Sequence, residues 1–153
     1  MTIFGQAQIL LIDDEPLVAE MFESILVEQG YEVSTASNSL TAAKILENQV
    51  FDLIISDVRL RPFSGFDLAA MARERMPDVE IILITGLPDP EDVVKARSLG
   101  YLYLGKPISF RELSEAVRGK LPRADKKRSG ARSYKIERTV NKAFAYRRVV
   151  LSG

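Results

Sequence analysis

The sequence predicts an α/β fold in which a five-stranded parallel sheet is doubly wound, with helices on both faces. Three short apolar runs are rich in Ile and Leu, and strand-like segments alternate with helix-like segments along the first 121 residues. Apolar runs of this kind are typical of strands that helices cover on both faces. Strands that alternate with helices indicate parallel pairing through right-handed crossovers.

The three apolar runs are the first, third and fourth strands of the predicted sheet, and a polar residue follows each. Runs 9–12, 53–55 and 81–84 lead to Asp13 and Asp14, to Asp57, and to Thr85, respectively. Ligands of open α/β sheets bind outside the carboxyl ends of the strands, where the strand order reverses. We therefore expect these polar residues to meet in one acidic site.

The first two helices follow from their caps and their apolar spacing. Pro16 suits the first turn of a helix, apolar residues then recur with helical spacing, and Gly30 ends that helix. The second strand is predicted at 31–36. Residues 37–39 offer N-caps for a second helix that runs to about Gln49.

The remaining elements are bounded by prolines, glycines and caps. Ser109 and Glu112 have the spacing of a capping box, in which each side chain bonds the backbone of the other, and they begin the last helix. We expect the later helices at 66–76, 90–100 and 109–121, and the fifth strand at 101–104.

The composition excludes several kinds of chemistry. The chain has no Cys and no His, which excludes disulfides, thiolate and imidazole metal ligands, Ser-His-Asp catalysis and a phosphohistidine on this chain. Polar chemistry must use carboxylates, hydroxyls and amines. No apolar run approaches the ~20 residues that cross a membrane, and the first residues lack a secretory signal, so we expect a cytoplasmic protein.

The net charge of zero hides a division of the chain. Residues 1–117 hold 9 Lys and Arg against 19 Asp and Glu, whereas residues 118–153 hold 12 against 2. We expect an acidic domain at 1–122 and a basic tail at 123–153, which is either one amphipathic helix or disordered. A solvated tail, nucleic-acid binding, binding to an acidic membrane or partner, and folding back onto the domain remain open.

Clustered acids at the strand ends require a neutralising cation, because like charges repel at short distance. Carboxylate oxygens without Cys or His suit Mg²⁺, which keeps water ligands that a phosphate can replace. A single acid after a strand is more often a turn former or a helix cap, and Asp14 or Glu15 could simply cap the helix at Pro16. Three converging acids, with Thr85 and Lys106 at two further strand ends, are harder to explain in that way.

These residues, in this order, resemble the receiver domain of two-component response regulators. The separations are 43 residues from Asp14 to Asp57, 28 to Thr85 and 21 to Lys106, and Gly65 follows Asp57 by eight. The resemblance covers about 7–121. It implies a flavodoxin-like sheet with the strand order 2-1-3-4-5.

The resemblance also implies the role of each site residue. Asp57 would accept a phosphoryl group from the phosphohistidine of a sensor histidine kinase or histidine phosphotransfer protein. Asp13, Asp14, Asp57 and the backbone carbonyl of Arg59 would hold Mg²⁺. The phosphoryl oxygens would be contacted by Thr85 and Lys106, and Thr85 with Tyr103 would form the switch.

Two segments depart from the family pattern. Leu60 and Arg61 stand where the family usually has Met-Pro, and a proline follows one place later at Pro62. The segment 100–106 is one residue shorter than the common form, which affects the placement of Tyr103.

We interpret the chain as a phosphorylation-controlled signalling switch, a phosphoprotein rather than a metabolic enzyme. A Mg²⁺-dependent phosphohydrolase of the haloacid-dehalogenase type is the first alternative, although that family has Asp-x-Asp where this chain has adjacent acids. A receiver that is not phosphorylated and acts only as an interaction module is the second. The cognate kinase, the downstream target and a homodimer through the fourth and fifth helices are left open.

Overall fold

The protein is described by a computed structural model that covers residues 6–121. The strands are β1 Gln8–Ile12, β2 Glu32–Ala36, β3 Leu53–Asp57, β4 Glu80–Thr85 and β5 Leu102–Gly105. The helices are α1 Pro16–Glu28, α2 Ser39–Asn48, α3 Gly65–Arg75, α4 Pro90–Leu99 and α5 Phe110–Lys120. The predicted elements are confirmed, with ends that differ by one or two residues. The predictions for the tail at 123–153 lie outside the described residues.

The five strands form one parallel sheet in the order β2-β1-β3-β4-β5, as the resemblance implied. The order reverses between β1 and β3, because the chain leaves β1 toward β2 and returns to pair on the other side of β1. Asp57 ends β3 and Asp13 directly follows β1. Both acids therefore lie at the point where an open α/β sheet leaves a crevice for ligands.

Two apolar layers hold the helices against the sheet. Leu10 and Ile54 face a layer that includes residues of α2, α3 and α4, whereas Ile9 and Leu53 face a layer with residues of α1 and α5. All four side chains are fully buried. Each such residue contributes about 1.5–3 kcal/mol relative to an exposed one. The central strands therefore form a firm support for the side chains at their ends.

Most helices begin at a side-chain cap. The predicted capping box of Ser109 and Glu112 begins α5, and Ser64 and Asp67 form a second box at α3. Asn38 and Asp89 cap α2 and α4. These caps fix where each helix starts relative to the preceding strand end, and so they position the loops around the site.

Among residues 6–121, no helix combines the length and apolar character that crossing a membrane requires.

Gly65 is required where the start of α3 approaches the end of β3. A Cβ atom at Gly65 would lie 2.4 Å from the carbonyl oxygen of Asp57, whereas one at Gly119 of α5 would meet nothing within 4 Å. We expect Gly65→Ala to lower the free energy of unfolding by about 1–3 kcal/mol, because backbone must shift. Gly119→Ala, the control, should raise it by about 0.4–1 kcal/mol, because alanine meets no atom there and restricts the unfolded chain. Urea denaturation measures both, and a Gly65→Ala protein as stable as the parent would contradict the close approach.

Candidate functional site

The site is built around two buried acids at the centre of the sheet. Asp57 is 8% exposed and Asp13 is 3% exposed. The backbone N–H of Asp13 donates to the carbonyl of Ala36 at 3.1 Å, which extends the pairing of β1 with β2 past the end of β1. The sheet itself therefore fixes the backbone from which both carboxylates project.

Asp14 and Glu15 complete a cluster of four acids. Carboxylate oxygens of Asp13, Asp14, Glu15 and Asp57 all lie within 4.8 Å of one another. Asp14 and Glu15 are exposed, whereas the other two acids are buried. The structure thus brings together the three acids that the sequence singled out, with Asp14 at the solvent-exposed side of the cluster.

A single ammonium group joins three of these carboxylates. Lys106 Nζ lies 3.0 Å from Glu15 Oε1, 3.3 Å from Asp13 Oδ2 and 3.3 Å from Asp57 Oδ2. Its side chain is only 17% exposed. The backbone N–H of Lys106 donates to the carbonyl of Thr85 at 2.7 Å, so the pairing of β5 with β4 places the cation over the acids.

The pKa values of Asp57 and of Lys106 are both shifted from their ordinary values. Burial raises the pKa of the Asp57 carboxyl, the charge of Lys106 opposes this, and the charges of Asp13 and Asp14 add to it. Burial disfavours the charged form of Lys106, but the surrounding carboxylates, Glu15 foremost, hold its pKa above the ordinary value. Because folding raises the pKa of Asp57, the stabilisation from this group is largest at acidic pH and falls as the pH rises through the folded-state pKa.

Glu15 does not cap the helix that follows it. It occupies the N-cap position of α1 without a side-chain cap bond, and its carboxylate contacts Lys106 instead. Its backbone N–H donates to Asp13 Oδ1 at 2.9 Å. The sequence alone predicts no role for Glu15 in the site beyond the option of a helix cap. The available signal was its position directly after two acids at the same strand end.

Thr85 lies at the end of β4 with no exposed surface. Its hydroxyl oxygen accepts a hydrogen bond from the backbone N–H of Leu87 at 3.1 Å. A hydroxyl carries one donor besides its acceptor sites, so this contact leaves the Thr85 proton able to donate. Ile84, the preceding residue, is in register with Asp57, which brings the two strand ends side by side.

Tyr103 lies in β5 and is half-buried against the apolar layer of α2, α3 and α4. Its hydroxyl oxygen accepts a hydrogen bond from the backbone N–H of Asp89, the N-cap of α4, at 3.3 Å. Tyr103 therefore contacts the start of α4 rather than the acids. Its role in a switch stays a prediction.

The loop after Asp57 contains the residues that depart from the family pattern. Leu60 is buried, and its backbone N–H and that of Gly65 both donate to the carbonyl of Val58, at 3.1 and 3.0 Å. The peptide bonds that precede Pro62 and Pro107 are both cis. The side chain of Arg59 extends to α4, and the predicted role of its backbone carbonyl in binding a metal stays a prediction.

The family model of the response regulator receiver domain matches residues 9–118. The chain therefore belongs to the receiver domain family of two-component response regulators, and its role is regulatory. The sequence-based recognition of this family is confirmed.

Two curated relatives illustrate the sequence similarity. The alginate biosynthesis transcriptional regulatory protein AlgB of Pseudomonas aeruginosa is 36% identical over 113 residues, which are 73% of this chain and 25% of AlgB. The TorCAD operon transcriptional regulatory protein TorR of Escherichia coli K12 is 35% identical over 118 residues, 76% of this chain and 51% of TorR. The chain thus spans from a quarter to about half of the length of these relatives.

Two solved structures match over nearly their whole length. A CheY-like response regulator receiver domain protein from Methanospirillum hungatei has a TM-score of 0.73 and 29% identity, with 80% of this chain and 98% of that chain covered. The response regulator TrrA of Thermotoga maritima, solved in complex with Mg²⁺-BeF, has a TM-score of 0.66 and 33% identity, with coverages of 76% and 100%.

The contact of Lys106 with Asp57 predicts a change in titration. We expect Lys106→Met to raise the pKa of the Asp57 carboxyl further, because the positive charge that favours the carboxylate is lost. Carboxyl ¹³C NMR in Mg²⁺-free buffer measures this pKa. Lys120→Met is the matched control, because Lys120 pairs with Glu80 at 3.7 Å, at the amino end of β4 and away from the site. An unchanged Asp57 titration in Lys106→Met would contradict the electrostatic role of Lys106.

Proposed function

We propose that this protein is a phosphorylation-controlled switch in which Asp57 accepts a phosphoryl group from a phosphohistidine. The donor would be a sensor histidine kinase or a histidine phosphotransfer protein. The observation that carries the proposal is the position of Asp57, at the reversal of the strand order, within 3.3 Å of the Lys106 ammonium and beside three further acids. The Mg²⁺-BeF complex of the relative TrrA is consistent with the same chemistry.

The transfer needs little from the protein beyond position and charge. A carboxylate oxygen of Asp57 forms a bond to phosphorus while the bond from phosphorus to the donor's imidazole nitrogen breaks, and that electron pair returns to the ring. Lys106 offsets the charge of the transferred oxygens, and Thr85 donates a hydrogen bond to one of them. Asp57 would already be held beside the Lys106 ammonium, so little reorganisation is required.

The acid cluster suits Mg²⁺. Carboxylate oxygens are the ligands that this ion prefers, and the four acids offer them within 4.8 Å of one another. We assign Asp13, Asp14, Asp57 and the backbone carbonyl of Arg59 as its ligands. When bound, the ion would neutralise and orient the transferred group. Glu15 would instead hold the Lys106 ammonium in position.

The switch would act through the segment between β4 and α4. In the unphosphorylated protein the hydroxyl of Thr85 binds the N–H of Leu87, and that of Tyr103 binds the N–H of Asp89. When the Thr85 hydroxyl turns toward the phosphoryl group, its hydrogen bond with Leu87 is lost. When the Tyr103 ring turns inward, its hydrogen bond with Asp89 is lost. The face formed by α4, β5 and α5 would then change shape and be recognised by a protein partner.

The proposed location, domain bounds and partners of the protein are supported by its family and not by the geometry of the site. We propose a cytoplasmic regulatory phosphoacceptor, with a receiver domain at 1–122, that does not turn over small phosphate esters. Nucleic-acid binding by the tail at 123–153 and a homodimer through α4 and α5 also stay predictions. The kinase and the downstream target would be found by partner screens.

Phosphorylation is tested on the full chain with acetyl phosphate as the donor. We expect intact mass to show a gain of one phosphoryl group only with Mg²⁺, and none in Asp57→Asn, because the nucleophile is lost. Asp78→Asn is the control, since Asp78 is exposed in the turn before β4. No gain in the folded parent protein would favour the interaction module, and turnover of p-nitrophenyl phosphate would favour the phosphohydrolase.

Mg²⁺ binding is tested through stability. At a Mg²⁺ concentration one hundred times the dissociation constant, the free energy of unfolding should rise by about 2.7 kcal/mol, because only the folded state presents the site. Asp14→Asn should lose most of this gain, whereas Glu47→Gln, which removes an exposed carboxylate on α2, should keep it. Thermal unfolding with Mg²⁺ and with K⁺ at equal ionic strength measures the difference. A gain that Asp14→Asn retains would refute this ligand assignment.

A further inference from the structure

Helix α4 is held to the domain by little apolar burial. Of its ten residues only Ala96 is buried, whereas five of the eleven residues of α3 are buried. Segments with few buried apolar side chains move or open at a low free-energy cost. Individual polar contacts therefore have a large share in fixing the position of α4.

One of these contacts starts in the loop that follows the phosphoacceptor. Arg59, two residues after Asp57, has its guanidinium Nη2 2.8 Å from Oδ2 of Asp92 in the first turn of α4. The side chains are 50% and 19% exposed. The ion pair is a direct link between the Asp57 loop and the start of α4.

The ordinary explanation of Asp92 is that an acid in the first turn favours the helix dipole. Glu91 is an acid in the same turn and would serve that purpose equally. What distinguishes Asp92 is its contact with Arg59, across 33 residues of sequence. The pair therefore has a role that the helix alone does not explain.

Building on the proposed function, we infer that Arg59 is held by Asp92 in the resting protein and by the phosphoryl group once Asp57 is modified. Cα atoms two residues apart are at most about 7.6 Å apart, so a guanidinium at Arg59 can reach a group on Asp57. A phosphoryl group offers more charge and more acceptor oxygens than one carboxylate, and arginine binds such groups bidentately. Phosphorylation then releases the first turn of α4.

This competition is reciprocal. If the phosphoryl group draws Arg59 away from Asp92, then Asp92 weakens the binding of a phosphoryl mimic by the same factor. Asp92 is thus a positioning residue that acts through Arg59. Val94, which is 69% exposed, directly follows this turn, and Leu87, which is 72% exposed, lies in the loop before it. Release of the first turn of α4 would therefore change the exposed apolar surface near Leu87 and Val94.

The test is a double-mutant cycle on the full chain, with beryllium fluoride and MgCl₂ as the probe. Wild type, Asp92→Asn, Arg59→Gln and the double variant are titrated at low salt, and amide NMR shifts give each affinity. We expect Asp92→Asn to bind about two- to five-fold more tightly, the range for one partly exposed ion pair. In the Arg59→Gln background the same change should have no effect, because the competition requires Arg59.

Glu91→Gln is the matched control, because it removes one negative charge from the same helical turn without touching the pair. Its affinity for the probe should equal that of wild type. Hydrogen exchange gives a second measure: the amides of Val93 and Val94 should exchange faster in wild type when the probe binds. In Asp92→Asn they should exchange fast without it.

Failure of this inference is distinguishable from failure of the proposed function. A folded wild type that does not bind the probe with Mg²⁺ would overturn both. Three outcomes would overturn only the shared role of Arg59 while wild type still binds the probe. Asp92→Asn could leave the affinity unchanged, or it could raise the affinity equally in the Arg59→Gln background. The third outcome is that Glu91→Gln raises the affinity as much as Asp92→Asn does.

Discussion

The site depends on one shared positive charge. Asp13 and Asp57 are buried carboxylates close enough to repel each other, and burial adds a desolvation cost to each charge. The Lys106 ammonium lies within 3.3 Å of both and offsets part of that cost. Its location follows from the β4–β5 pairing, since the residue before it, Gly105, is in register with Thr85. The sheet thus determines where the compensating charge lies.

The firmness of the central strands gives the acids their fixed geometry. β1 and β3 are buried along their whole length, so packing on both faces holds the backbone on which the carboxylates depend. The start of α3 adds a further constraint, because its first residue, Gly65, lies against the Asp57 carbonyl with no room for a side chain. Asp57 is therefore carried by the closely packed part of the fold.

Helix α4 differs from the central strands because little of it is buried. Only Ala96 of its ten residues is buried, and three polar contacts lie at or just before its first turn, from Leu87 to Thr85, from Asp89 to Tyr103 and from Asp92 to Arg59. They begin at the end of β4, within β5 and in the loop that follows Asp57. In the proposed function, a charged modification at Asp57 would bias these contacts, whereas it would not easily repack the apolar layers. The proposed switch would use this difference between the packed strands and a helix with one buried residue.

The sequence by itself determined the α/β class, the ten elements, the capping box at Ser109 and the convergence of acids at one edge, because apolar runs, caps and strand ends are local signals. The strand order came from the family resemblance, not from local physics. Only the tertiary structure decided that Glu15 binds Lys106 instead of capping α1 and that Arg59 pairs with Asp92. These contacts join residues 91 and 33 positions apart, and their partners are chosen by distances between packed elements, which the local sequence pattern does not encode.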